Sequence, residues 1–243
     1  MESPYSRRLK ICSLLQTVIS GKDEFMRVLA FSDLHGSIDM VVRILASEGD
    51  FDVVVLAGDI TTAGTPSELE KAIRRIETFG KPVLAVAGNM DSLALERKLE
   101  LLGVSIDSRG VVIGDVGFFG VSAAPASPLR TLNEISEREI MERAEAGWKC
   151  VVAARWKIFV PHAAPKDTTL DITHSGKHAG SSAVRDFIRQ RKPDATICGH
   201  IHEARGIDKI AGMPVVNCGP AGKGYYVAMT VGAILNLENR SFP

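Results

Sequence analysis

Short apolar runs alternate with amphipathic stretches along most of the chain, a pattern that predicts an α/β architecture. The first run is Met26-Arg27-Val28-Leu29-Ala30-Phe31, followed by a helical pattern over residues 38–47 with Val41, Val42 and Leu45 on one side. A second run, residues 52–57, precedes a helix whose start is marked by Thr65 as cap, Pro66 in the first turn and Glu68 as capping-box partner, and Gly80 is expected to end it. The third run, residues 82–87, leads to a helix over 93–102, and residues 111–113 and 117–121 read as a hairpin around Gly114-Asp115. A polar insertion, residues 122–149, is expected to carry a helix starting near Ser136, with Glu139 as box partner and Gly147 as its stop. The second half resumes with a run at 156–160, a long loop over 161–180, a helix over 182–191 and a run at 195–198. Strand-like segments at 214–217 and 225–229 close it.

With no internal repeat or linker, the reading is one domain over residues 26–243 with the insertion at 122–149. Residues 1–25 read as an N-terminal extension, helical with Leu9, Cys12, Leu15 and Ile19 on one face, or disordered. Ser6-Arg7-Arg8 faintly echoes a twin-arginine signal, but the apolar part after it is broken by Gln16 and Thr17, so the chain reads as cytoplasmic. Charge narrows the partners. The 29 basic residues cancel the 29 acidic ones, which argues against an extended nucleic-acid surface or attraction to an anionic membrane. The four cysteines are far apart in sequence and fit neither a disulfide framework nor a zinc finger, and no apolar stretch is long enough for a membrane span.

The chemistry sits where the apolar runs end. The first ends in Ser32-Asp33-Leu34-His35-Gly36, the second in Gly58-Asp59 and the third in Gly88-Asn89-Met90-Asp91. Two later ones end in Pro161-His162 and Gly199-His200-Ile201-His202. Any one of these is an ordinary strand-end turn, but five in this order place carboxylate, carboxamide and imidazole groups at the edge where open α/β sheets bind ligands. Mixed carboxylate and neutral imidazole donors suit Mn, Fe, Zn, Co or Ni, whereas a calcium site would use oxygens alone. The donors exceed what one tetrahedral ion needs. Two divalent ions about 3.5–4 Å apart, sharing one carboxylate, would use them and leave positions for water and substrate.

In that order the motifs resemble the calcineurin-like metallophosphoesterase superfamily, whose pattern D-x-H, G-D, G-N-[H], H, G-H-x-H is met from Asp33 to His202. The close of the pattern, Gly199-His200-Ile201-His202-Glu203-Ala204-Arg205-Gly206 with Asn217-Cys218-Gly219-Pro220 downstream, is similar to the Icc-type phosphohydrolase branch found in prokaryotes. The resemblance implies a four-layer α/β/β/α sandwich with two central mixed sheets. It implies that Asp33, His35 and His202 hold one metal, that Asn89, His162 and His200 hold the other, and that Asp59 bridges them. Manganese is the favoured ion. The implied activity is phosphoester hydrolysis, with a metal-bridging hydroxide as nucleophile and a small-molecule or nucleotide-type phosphoester as substrate.

One position departs from the pattern. Strongly catalytic members carry histidine after the asparagine, where it touches phosphate and protonates the leaving oxygen; Met90 can do neither. The departure favours a phosphodiesterase over a phosphomonoesterase, and a non-catalytic scaffold of the same fold is the alternative from another class. His178, in the loop between the fourth and fifth motifs, is the candidate to contact phosphate or donate the proton. Asp91 is expected either to orient a neighbouring ligand or to cap the next helix. The 122–149 insertion and the 163–180 loop are expected to shape the pocket or a contact between copies of the chain in a homo-oligomer.

Overall fold

A computed structural model describes residues 25–243, so the reading of the N-terminal extension and its helix lies outside the described residues apart from Phe25. The first sheet has the order β13-β12-β1-β2-β3. Within it β1 (Met26–Phe31), β2 (Val53–Ala57) and β3 (Val83–Val86) are parallel, and the antiparallel pair β12 (Tyr225–Val231) and β13 (Leu235–Ser241) extends the β1 side. The second sheet has the order β10-β11-β9-β8-β5-β4. Its parallel centre is β11 (Met213–Asn217), β9 (Ala195–Cys198), β8 (Trp156–Pro161) and β5 (Val116–Val121). Antiparallel β10 (Gly206–Ile210) and β4 (Gly110–Ile113) form its edges.

Period-2 alternation explains the layering. In β1, Met26, Val28 and Ala30 enter a core shared with Phe118, Ile158 and Ile197 of the second sheet. Leu29 and Phe31 point the other way, under α1 (Ile38–Glu48), α2 (Pro66–Glu77) and α3 (Leu93–Leu102). Both faces of each central strand are therefore buried, which is why these strands read as continuous apolar runs. Helices α4 (Glu137–Val151) and α5 (Ser182–Arg191) cover the outside of the second sheet over Phe119 and Phe159, whose rings stack at 4.9 Å. The result is the expected four-layer α/β/β/α sandwich with two mixed sheets.

Three expected punctuation marks act differently. The α2 capping box is formed at Thr65 and Glu68, but the helix ends at Glu77 and Gly80 turns the chain after it. Ser136 caps α4 through the Glu139 amide, while the Glu139 carboxylate turns to Arg143 rather than closing a box. Gly147 does not stop α4. It is buried inside the helix, where a Cβ would lie 3.1 Å from the Cβ of Phe119, so it is a packing glycine that lets α4 settle onto β5. Residues 122–149 also contribute the short parallel pair β6 (Ala124–Pro125) and β7 (Glu134–Ile135). Among the described residues no helix is long and apolar enough to cross a membrane.

Candidate metal centre

Parallel pairing brings the C-terminal ends of β1, β2, β3, β8 and β9 to one edge of the sandwich. Backbone bonds stitch the following turns together: the Asp33 amide donates to Gly58 O at 3.0 Å, His35 to Asp59 O at 2.9 Å, and Gly199 to His162 O at 3.0 Å. Asp33, His35, Asp59 and His200 all adopt left-handed backbone, with φ of 52°, 46°, 49° and 72°. Non-glycine residues in that region each cost about 1 kcal/mol or more, and four of them along one edge mark a place where function overrides local preference.

The side chains converge as two groups. His202 Nε2 lies 3.3 Å from Asp33 Oδ1 and 3.2 Å from His35 Nε2. On the other side, Asn89 Oδ1 lies 2.9 Å from His162 Nε2 and 2.8 Å from His200 Nδ1. Asp59 Oδ2 stands between them, 3.8 Å from His35 Nε2 and 3.6 Å from His162 Nε2. Ligand atoms of Asp33, His35 and His202 lie close enough to share one ion, as do those of Asp33, Asp59 and His162. All seven residues expected as ligands thus meet at one edge, with Asp33 reaching toward both groups.

The donor chemistry fits cations. His162 Nδ1 is 2.8 Å from the carbonyl oxygen of Ala57, which can only accept, so Nδ1 carries the proton. Nε2 then faces Asp59 Oδ2 and Asn89 Oδ1, a cluster of donor atoms that a divalent ion could hold together. Sequence reading missed this orienting carbonyl, and also Thr62, whose Oγ1 is 2.8 Å from His35 Nδ1. A hydroxyl following the Gly58-Asp59 turn was the available signal for Thr62; a backbone carbonyl leaves none.

Asp91 does not cap α3. Its carboxylate accepts from the Ile60, Thr61 and Gly88 amides at 2.9–3.0 Å and from the Thr61 hydroxyl, tying the Asp59 turn to the Asn89 turn. Close approach explains the glycines. A Cβ on Gly88 would lie 2.0 Å from Asp59 Oδ1, and one on Gly199 would lie 1.8 Å from Ser32 Oγ. Gly88→Ala is expected to destabilise the protein by about 1–3 kcal/mol and to weaken metal binding, checked by thermal unfolding and manganese titration.

The family model for calcineurin-like phosphoesterases matches residues 26–204. The chain belongs to the calcineurin-like phosphoesterase family. It is 34% identical over 210 residues to the uncharacterized protein MJ1162 of Methanocaldococcus jannaschii, covering 84% of this chain and 92% of that one. Among solved structures, TT1561 of Thermus thermophilus superposes with a TM-score of 0.68 at 18% identity, covering 88% of this chain and 98% of that one. A dimetal phosphatase from Danio rerio superposes with a TM-score of 0.61 at 12% identity, covering 89% and 96%. The last two likenesses concern the fold.

In this phosphoesterase the metal edge forms the floor of a cavity of about 900 Å³, also lined by Met90 and His178. The Met90 amide donates to Asp59 Oδ1 at 2.7 Å, so position 90 fixes the carboxylate through its backbone whatever its side chain. His178 Nδ1 is 2.7 Å from Asp171 Oδ1; that carboxylate is fully buried and also accepts from the Gly180 amide. His174 is exposed beside Glu203 and does not line the cavity.

Burial pushes the Asp59 carboxyl up to about 6 and the His200 ring down to about 3. Burial also raises Asp33, but its hydrogen bonds to His202 and Ser32 and the nearby charges of His162 and His202 together outweigh that and hold it at about 2. At neutral pH His200 therefore keeps a lone pair and Asp33 its charge. A proton on Asp59 competes with a cation for the same oxygen, so metal affinity is expected to fall as pH drops below about 6, at most tenfold per pH unit for this one group. Manganese titrations between pH 5 and pH 8, about the range this carboxyl spans, check the sign.

Proposed function

We propose that the chain is a dinuclear-metal phosphodiesterase. The observation that carries this reading is the pairing of two ligand groups around Asp59, with neutral Asn89 between two histidines. In this reading Asp33, His35 and His202 hold one ion, Asn89, His162 and His200 the other, and Asp59 both; Asp33 also lies within reach of the second. When bound, two divalent ions supply an activated water and neutralise charge on the phosphoryl oxygens.

The chain's own residues do the rest. Asn89 brings an oxygen ligand without adding negative charge against an anionic substrate, and Asp91 keeps its turn in register with Asp59. Met90 offers the leaving oxygen no proton. His178 supplies it instead: Asp171 accepts from Nδ1–H and fixes the ring, and in its doubly protonated form that ring, which lines the cavity, donates from Nε2. With no acid at position 90, the reading favours a diester over a monoester.

The test compares esters with matched leaving groups. With manganese bound, an aryl phosphodiester is expected to turn over at least about tenfold faster than the aryl phosphomonoester, a difference of about 1.4 kcal/mol in the barrier. Equal turnover, or a faster monoester, would replace the diesterase reading with a phosphomonoesterase.

A further inference from the structure

A cavity of about 900 Å³ is far larger than a phosphoryl group requires, and its walls differ in chemistry. Pro125, Pro128 and Leu129 of the 122–149 segment give it aliphatic surface. The 163–180 loop forms a wall of different chemistry with Lys166, Thr173, Ser175, Lys177 and His178. Two backbone bridges, Pro165 with Ser181 and Ile172 with His178, hold the lysine-bearing segments against each other. Asp171 ties both to the same spot by accepting from Gly180 and His178.

The cations of this wall are uncommitted. Arg143, Arg185 and Arg191 on the neighbouring helices are all ion-paired, whereas among the described residues neither Lys166 nor Lys177 has an acidic partner. The cavity's other acids are satisfied without them. Glu134 accepts from the amides and hydroxyls of Ser127 and Thr131, and Glu137 accepts from Ser181 and the first amides of α5. Two unpaired ammonium groups beside serine and threonine hydroxyls form a surface that favours an anion with several acceptor oxygens. Among the described residues no phenyl, phenol or indole ring lines the cavity, so those residues offer no stacking platform for a base.

We propose that the wall of Lys166 and Lys177 binds a second phosphate of the substrate, carried on an arm at a distance from the phosphoester that is cleaved. The proposal rests on the phosphodiesterase reading for the floor of the cavity, and it narrows the substrate class to phosphodiesters bearing a further phosphate. The aliphatic surface accommodates the arm.

Calorimetry on the manganese-loaded full chain tests it without turnover. The probes are alkanediol bisphosphates of graded chain length, each compared with the alkyl monophosphate of the same length. At one or more lengths the bisphosphate is expected to bind at least about tenfold tighter, with an advantage that shrinks as salt rises. A Lys166→Gln/Lys177→Gln variant is expected to erase that advantage, and Lys166→Arg/Lys177→Arg to keep it. No advantage at any length, or one that survives the glutamine pair, overturns the proposal. An advantage that follows the lysines in a protein hydrolysing no phosphoester would sustain the anion wall and remove the hydrolase reading. Hydrolysis without the advantage would do the reverse.

Discussion

Asp59→Asn is expected to lower phosphodiester turnover by on the order of 10³-fold and to reduce bound manganese from two ions per chain toward one. Residues that merely orient metal ligands cost about 10–100-fold when replaced, and Asp59 stands between both ligand groups, so its loss is the larger effect. Asparagine keeps the shape and an oxygen for the Met90 amide to donate to, so the fold should survive. What it removes is the charge. Thermal unfolding alongside metal content separates the two consequences: an unchanged fold with full metal and full turnover would show that Asp59 is no bridge.

The second large effect belongs to His178. A general acid contributes about 10²–10⁴-fold, and the contribution grows as the leaving group becomes a worse anion. His178→Gln is therefore expected to cost about 10²-fold with an alkyl leaving group and little with p-nitrophenyl, while manganese binding stays as it was. Asp171→Asn, which weakens the hold on Nδ1, should move the same way by a smaller factor. Equal losses on both leaving groups would assign His178 to substrate binding instead, and no loss on either would remove it from the site.

Much of this centre is legible without coordinates, and for a physical reason. Central strands buried on both faces announce themselves as apolar runs, and where such a run stops the sheet edge begins; Asp33, Asp59, Asn89, His162 and His200 each follow one. Edge strands announce themselves far less. β10 and β13 have one face in solvent, alternate polar residues, and give no apolar run to pick out although each completes a sheet.

Glycine is readable where it must let backbone approach and misleading where it packs. Gly88 and Gly199 precede ligands and leave room for them, whereas Gly147 looks like a helix stop and is a contact with Phe119. The alternatives for Asp91 depend on which amides face it. Four donors from two turns decide that, and none of them belongs to the helix that follows it. Zero net charge in the sequence likewise hides the distribution that matters here, two unpaired lysines in a cavity whose acids are already satisfied.

The central claim is that both ligand groups act together on a phosphodiester, and turnover followed against bound manganese tests it most directly. Metal-stripped protein is titrated with manganese while hydrolysis of an aryl phosphodiester and metal content are read on the same samples. Turnover should stay low through the first equivalent and rise as the second binds. Full turnover with one ion bound, or none with two, would contradict the account.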